Sequence, residues 1–280
     1  GAGQKVNEIF RHLKHAGVPN YYGPQRFGKR GDNAAIGAAI LQKNWTEAFH
    51  LILGRPRAFE AGNQIGRARE LLEEGNYREA HKAWPDDEFS ARRLLRLLMD
   101  ADGDFVKAGP QMPKNIVRFY LNAMQSFWFN ASLAKRLPEM IRIWQGDLAY
   151  LHRNGAVFRV EEPAKEQSRL DRFEISPSGP IWGEKMILPQ DKEKELEFDI
   201  LEESGRPYDQ LRVLLRNFRL RGQRRPYRVP LGNPTCEQRD SALRLQFELP
   251  GGSYATSVVR EILKENLPET EIMRPVFTTN

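Results

Sequence analysis

Residues 17–37 limit what this chain can fold into more than any other stretch. Five glycines (Gly17, Gly23, Gly28, Gly31, Gly37) and two prolines (Pro19, Pro24) fall within them, so neither a helix nor a strand can run through. Upstream, Val6, Ile9, Phe10, Leu13 and Ala16 recur at helical spacing. Gly17 suits the residue after that helix, and Pro19 prevents its continuation. Between the turns stand Tyr21, Tyr22, Phe27, Arg26, Lys29 and Arg30. A loop of turns, aromatics and cations can cradle a polyanion, or it can be an elbow joining two helices. The residues alone leave both readings open.

Beyond the loop the period is helical as far as residue 137. Asn33 is placed to cap a helix carrying Ile36, Ala39, Ile40 and Leu41. Thr46-Glu47-Ala48-Phe49 and Tyr77-Arg78-Glu79-Ala80-His81 read as two copies of a half-repeat, too few for a solenoid. Residues 100–113 read as polar and broken. An apolar helix is expected over residues 115–137, with Asn130 as an amide among core residues that must find partners. From residue 146 the period changes to two: Leu148-Ala149-Tyr150-Leu151 and Ala156-Val157-Phe158-Arg159-Val160 flank Asn154-Gly155, a strong hairpin signal. Residues 176–183 read as a turn-rich loop anchored by Trp182, and helices are expected over residues 192–203 and 208–218. Finally Leu243, Leu245, Phe247 and Leu249 alternate as a half-buried strand, Ser253 is placed to cap, and a helix opens at Tyr254.

The net charge is +6 with a pI near 9.4, which favours an anionic partner. Arg219, Arg221, Arg224, Arg225 and Arg228 cluster beside Tyr227, a composition suited to phosphate contact or to a solvated surface. The single cysteine, Cys236, excludes an internal disulfide and suits a reducing cytoplasm. Five scattered histidines supply no metal-ligand spacing, and no apolar run is long enough to span a membrane.

The ordered run Pro19-Asn20-Tyr21-Tyr22-Gly23-x-Gln25-Arg26-Phe27-Gly28, with Gly31-x-Asn33 after it, closely resembles the signature of the TruD family of tRNA pseudouridine synthases. Phe129-Asn130-x-x-Leu133-Ala134-x-Arg136-Leu137, the turn-rich residues 176–183 and residues 250–261 resemble further segments of that family. The resemblance implies a cofactor-free isomerisation of a uridine in tRNA to pseudouridine. It makes Tyr254 the aromatic that stacks on the target uracil. It also implies RNA contacts from Arg26, Lys29, Arg30, Arg224 and Arg225, and structural roles for Asn20, Gln25, Phe27 and Asn130. The expected fold is α+β: a mostly helical inserted domain with a small hairpin region, and the last strand and helix of a catalytic sheet domain. The expected parts are 1–16, the last helix before the insertion; 17–228, the insertion; and 229–280, the end of the catalytic domain. The family's aspartate lies in a Gly-x-Lys-Asp segment ahead of the tyrosine loop, and no such segment occurs here. Asp32 sits inside the matched loop, where the family does not require an acid, and is rejected as nucleophile. The chain alone is therefore expected to be inactive, with the terminal strand lacking sheet partners, and the complete protein to be a cytoplasmic monomer acting on tRNA without metal or membrane. A non-catalytic RNA-binding module and a helical-repeat scaffold are the alternatives.

Overall fold

A computed structural model describes residues 1–264, 273–275 and 277. The chain forms two compact units, residues 1–26 with 126–270 and residues 27–125 with 271–280. Their limits differ from the parts 1–16, 17–228 and 229–280 expected from the sequence. The first unit opens with α1 (Ala2–Ala16), which buries Val6, Phe10, Leu13 and Ala16; Gly17 ends it at φ +88°, its N–H donating to Leu13 O. β1 (Val18–Pro19) follows.

The second unit is helical: α2 (Asn33–Leu41), α3 (Trp45–Leu53), α4 (Gln64–Glu73), α5 (Tyr77–Ala83), α6 (Phe89–Asp100) and the single turn α7 (Phe105–Ala108). Its α2–α3 and α4–α5 hairpins share one turn, with positive φ at Lys43 (+58°) and Gly75 (+77°), followed by Asn44 and Asn76. An aromatic, Trp45 or Tyr77, then opens the second helix. The pattern recurs a third time at Asp102 (+54°), Gly103 (+80°) and Asp104, with Phe105 opening α7. Asp104 Oδ1 caps that turn by accepting from the N–H groups of Val106 and Lys107 at 2.8 and 3.1 Å. Residues 100–113 are thus not merely broken: a four-residue helix with an Asp cap is too short to show a period. Asn33 does not cap α2. It is the buried first helical residue, and the cap position belongs to Asp32, whose carboxylate is held by Arg30 at 3.0 Å.

α8 (Lys114–Arg136) begins in the second unit and ends in the first. The first unit then continues through β2 (Leu148–Leu151), β3 (Val157–Arg159), α9 (Pro163–Asp171), β4 (Ile175–Ile181), α10 (Asp191–Glu203), α11 (Tyr208–Asn217), β5 (Gln223–Pro226), β6 (Arg228–Val229), β7 (Gly232–Arg239), β8 (Ala242–Glu248) and α12 (Ala255–Leu263). An antiparallel sheet of order β3-β2-β4-β5 forms its centre. The Asn154-Gly155 hairpin joins β2 to β3, although its loop is longer than two residues. β4 overturns the reading of residues 176–183 as a loop. Ser-Pro-Ser-Gly-Pro is a strand here because small residues admit large neighbours: a Cβ on Gly179 would lie 2.2 Å from the Tyr227 ring. Every residue of β4 is buried.

The terminal strand also has a partner. β8 pairs with β7, a strand whose polar sequence gave no signal, and Leu243, Leu245, Phe247 and Leu249 pack against Val6, Phe10, Leu13 and Val258. α12 starts after Tyr254 with no side-chain cap; Ser253 instead donates its N–H to Pro250 O within the turn.

Beneath the sheet lies a closed cluster of charges. Arg136, Asp147, Glu193 and Glu197 are all within 1 % of full burial, and the Arg224 side chain is 4 % exposed. Arg136 donates to Asp147 at 2.9 Å and stands 3.3 Å from Glu193, while Arg224 donates to both oxygens of Glu197. Tyr227 donates its hydroxyl to Glu193 at 2.8 Å. Three carboxylates face two guanidiniums, and burial together with Glu197 and Asp147 pushes the Glu193 carboxyl well above its ordinary 4.5. Burial raises the Asp147 and Glu197 carboxyls as well, and Glu193 is the one pushed well above its ordinary value. Its contribution to stability is complete below about pH 4.5 and is lost as pH rises through the raised value. Glu193→Gln should flatten this decline when denaturant midpoints are compared from pH 5 to pH 9. Arg136→Ala should cost about 3–5 kcal/mol, because it strands buried carboxylates; a loss below 1 kcal/mol in urea titration would refute the balance described.

Candidate nucleic-acid site

The site in the first unit is assembled around the Asn20–Gly23 segment. Asn130, on α8, is its clamp: Asn130 Oδ1 accepts from Tyr22 N–H and Asn130 Nδ2 donates to Tyr22 O, both at 2.9 Å. One amide thus replaces a strand partner for a backbone that is in no sheet. Asn20 is buried and donates from Nδ2 to Pro226 O at 2.9 Å. Arg225, on β5, donates to Asn20 Oδ1 at 2.6 Å and to Gly252 O at 3.0 Å. It therefore ties the tyrosine segment to the Gly251-Gly252 turn ahead of α12. Its guanidinium lies 4.3 Å from the centre of the Tyr22 ring, with Arg26 at 5.3 Å from the same ring.

Tyr254 stands where these pieces meet. Its half-exposed ring meets Tyr22 edge to face at a centroid distance of 5.8 Å. Gly23 permits this approach, since a Cβ there would fall 3.0 Å from the Tyr254 ring and 2.7 Å from Thr256 Oγ1. Beside the segment opens a cleft of about 420 Å³ lined by Tyr21, Asn130, Thr256, Arg260 and Glu261. Burial pushes the Tyr21 hydroxyl up to about 12, so it remains a donor at neutral pH.

The expected site residues divide by burial. Asn20 and Asn130 are engaged in the bonds above and Phe27 is fully buried, while Gln25 is exposed. Lys29 is exposed, and Arg26 and Arg225 are half-buried beside the aromatics. Two arginines expected to contact RNA face inward instead. Arg224 is enclosed with Glu197 and Ser178, and Arg30 is buried against Asp32, donating to Gly54 O and Arg55 O. Arg30 pairs with Asp32 two residues on, whereas the Glu197 beside Arg224 lies 27 residues earlier, where sequence spacing does not reveal it. Arg228 likewise donates to Ala16 O and Leu170 O, and burial lowers its pKa to about 10. Asp32, held by Arg30 and Arg57, is a counter-ion. Among the described residues no group of three or more His, Cys, Asp or Glu side chains could hold a metal ion, and no helix is long and apolar enough to cross a membrane.

Residues 1–262 match the family model of tRNA pseudouridine synthase D, TruD. The tRNA pseudouridine synthase D of Geobacter metallireducens is 36 % identical over 95 % of this chain and 65 % of its own length. That of Syntrophotalea carbinolica is 36 % identical over 94 % and 66 %, and that of Geobacter sulfurreducens 37 % over 94 % and 64 %. This chain thus spans slightly less than two thirds of the length of these three relatives. The fold is also similar to a crystal structure from Methanosarcina mazei described as a TruD: TM-score 0.75 at 23 % identity, covering 94 % of this chain and 64 % of that one.

Two outcomes test the geometry. Asn130→Ala should lower stability by about 1–3 kcal/mol, because it unpairs a backbone N–H and C=O together. Arg224→Glu should abolish folding, by adding a fourth carboxylate to the buried cluster, rather than weaken anion binding selectively; thermal unfolding of the purified variant decides.

Proposed function

The chain belongs to the TruD family of tRNA pseudouridine synthases, and on that premise we propose that it is the greater part of an isomerase converting a uridine in tRNA to pseudouridine without a cofactor. The observation that carries this reading is the placement of Tyr254, a half-exposed ring held against Tyr22 and Gly23 beside two arginines. A half-exposed flat ring beside cations is suited to a uracil turned out of its stack. In this reading Tyr254 binds the flipped base, and Arg225 and Arg26 place the loop and its charge beside the neighbouring phosphates. Residues 17–228 are the inserted domain, while 1–16 and 229–280 belong to the catalytic domain.

The nucleophilic aspartate of this proposal lies outside these 280 residues. The reading is supported by the lack of a Gly-x-Lys-Asp segment and by Asp32, which is buried between Arg30 and Arg57. Cleaving a glycosidic bond needs a carboxylate oriented against the base, and a counter-ion bound to two guanidiniums cannot reorient to serve. The complete protein acts in the cytoplasm as a monomer.

Release of tritium from tRNA labelled at carbon five of uridine provides the test. The 280 residues alone should release none, and the complete protein should turn over; turnover by the 280 residues would refute the placement of the aspartate. In the complete protein Tyr254→Ala should lower turnover by about tenfold or more through lost stacking, whereas Tyr254→Phe should retain most of it. Equal losses in both variants would assign the role to the hydroxyl.

A further inference from the structure

The cleft beside the tyrosine segment holds polar groups that nothing in the first unit satisfies. One wall is formed by Asn130 and Ala134 on α8 with Leu137 just beyond it, and the other by α12, which carries Thr256 and Arg260 one turn apart together with Glu261. The Asn130 amide is engaged at both ends by the Tyr22 backbone. Three other lining groups are not engaged. The Thr256 hydroxyl is buried and has no hydrogen-bond partner. Among the described residues the Tyr21 hydroxyl and the half-buried Glu261 carboxylate likewise make neither hydrogen bond nor ion pair. Buried and half-buried polar groups ordinarily find partners, so three without one in a single cleft call for a ligand.

The groups stand close enough to act on one molecule, since the charges of Arg260 and Glu261 both bear on the Tyr21 hydroxyl. A carboxylate in the wall opposes a phosphate and calls for N–H donors, whereas the Tyr21 hydroxyl and the Arg260 guanidinium call for an acceptor. Pro19, Ala134 and Leu137 supply apolar surface, and about 420 Å³ is enough for one nucleobase with its sugar. Guanine carries both patterns at once: N1–H and the N2 amino group lie side by side for a carboxylate, with O6 next to them for a donor. Uracil sets its one N–H between two carbonyls, and adenine and cytosine place a ring acceptor beside the amino group. Each of these opposes a carboxylate. Tyr22 and Gly23 line the cleft and also hold Tyr254, so a base in the cleft adjoins a base on that ring.

We propose that the cleft between α8 and α12 is a guanine site, in which Glu261 accepts from N1–H and the N2 amino group, Tyr21 and Arg260 donate to O6, and the Thr256 hydroxyl bonds the remaining edge. The site rests on the RNA reading given above and adds to it a contact that reads base identity, apart from the stacking by Tyr254. An unstacked guanine of RNA and a free guanine nucleotide share this chemistry. Selectivity has a plain source: an analogue that lacks one of these groups leaves a half-buried polar atom unpaired.

Equilibrium dialysis of labelled nucleosides against the 280-residue chain tests it. Guanosine should bind more tightly than inosine, which lacks only the N2 amino group, on the order of tenfold. Adenosine, cytidine and uridine should bind more weakly than guanosine by at least as much. Glu261→Gln should bring guanosine and inosine to equal affinity. Competition identifies the source: an oligouridine carrying one guanosine displaces the label at lower concentration than guanosine monophosphate when the site reads RNA, and at higher concentration when it holds a free nucleotide. Equal binding of guanosine, inosine and uridine, no binding of guanosine at millimolar concentration, or a preference that survives Glu261→Gln would each overturn the site. The comparison of guanosine with inosine uses the parent chain and so decides even if Glu261→Gln fails to fold. Tritium release by the complete protein is a separate readout, so the loss of the site and the loss of the isomerase reading are told apart.

Discussion

The first unit depends on a cluster of charged side chains closed off from water. Three carboxylates and two guanidiniums occupy its centre, contributed by α8, α10, β5 and the residues ahead of β2. Each ion alone would cost several kcal/mol to bury, so each element is tolerable only when the others are in place. Trp144 closes the cluster by laying its ring 3.2 Å from the Arg136 guanidinium. The outcome is positional. β5 is fixed by Arg224 on its inner side, and Arg225, the next residue, is thereby turned toward Asn20 and Gly252. The geometry around Tyr254 follows from an interaction buried on the opposite side of the same strand.

This alternation explains why net charge was a poor guide to the binding surface. An excess of six positive charges suggests a basic exterior, yet Arg30, Arg69, Arg136, Arg224 and Arg228 all hold the interior together. Their planar forks satisfy several carbonyls or a carboxylate at once, which lysine cannot do. The basic features that face solvent lie elsewhere, on residues such as Lys29 and Arg55.

What could be read from the sequence was whatever had a local cause. The end of α1 at Gly17, the helices α10 and α11, and the α12 turn each follow from a few adjacent residues. The clamp by Asn130 was also legible, since an amide within an apolar helix needs a partner. What escaped had a cause far along the chain. β4 is a strand because Tyr227 fills the space over Gly179, and β7 is one because β8 pairs with it. The burial of Arg224 depends on Glu197, 27 residues earlier in the chain. The third turn of the helical unit was obscured by substitution of Asp104 for asparagine and by a helix of only four residues.

The bond from Asn20 to Pro226 spans 206 positions of the chain, and it sets an order in time. At roughly 5–20 residues per second of synthesis, the tyrosine segment waits about 10–40 s before its partners leave the ribosome. The helical unit, whose hairpins close over short distances, has microseconds to milliseconds to fold within that interval. Its folding does not need the Asn20–Pro226 bond, whereas that bond needs residues 206 positions apart brought together. During translation the loops 28–31 and 54–60 therefore exist before the tyrosine segment is tied to the end of β5.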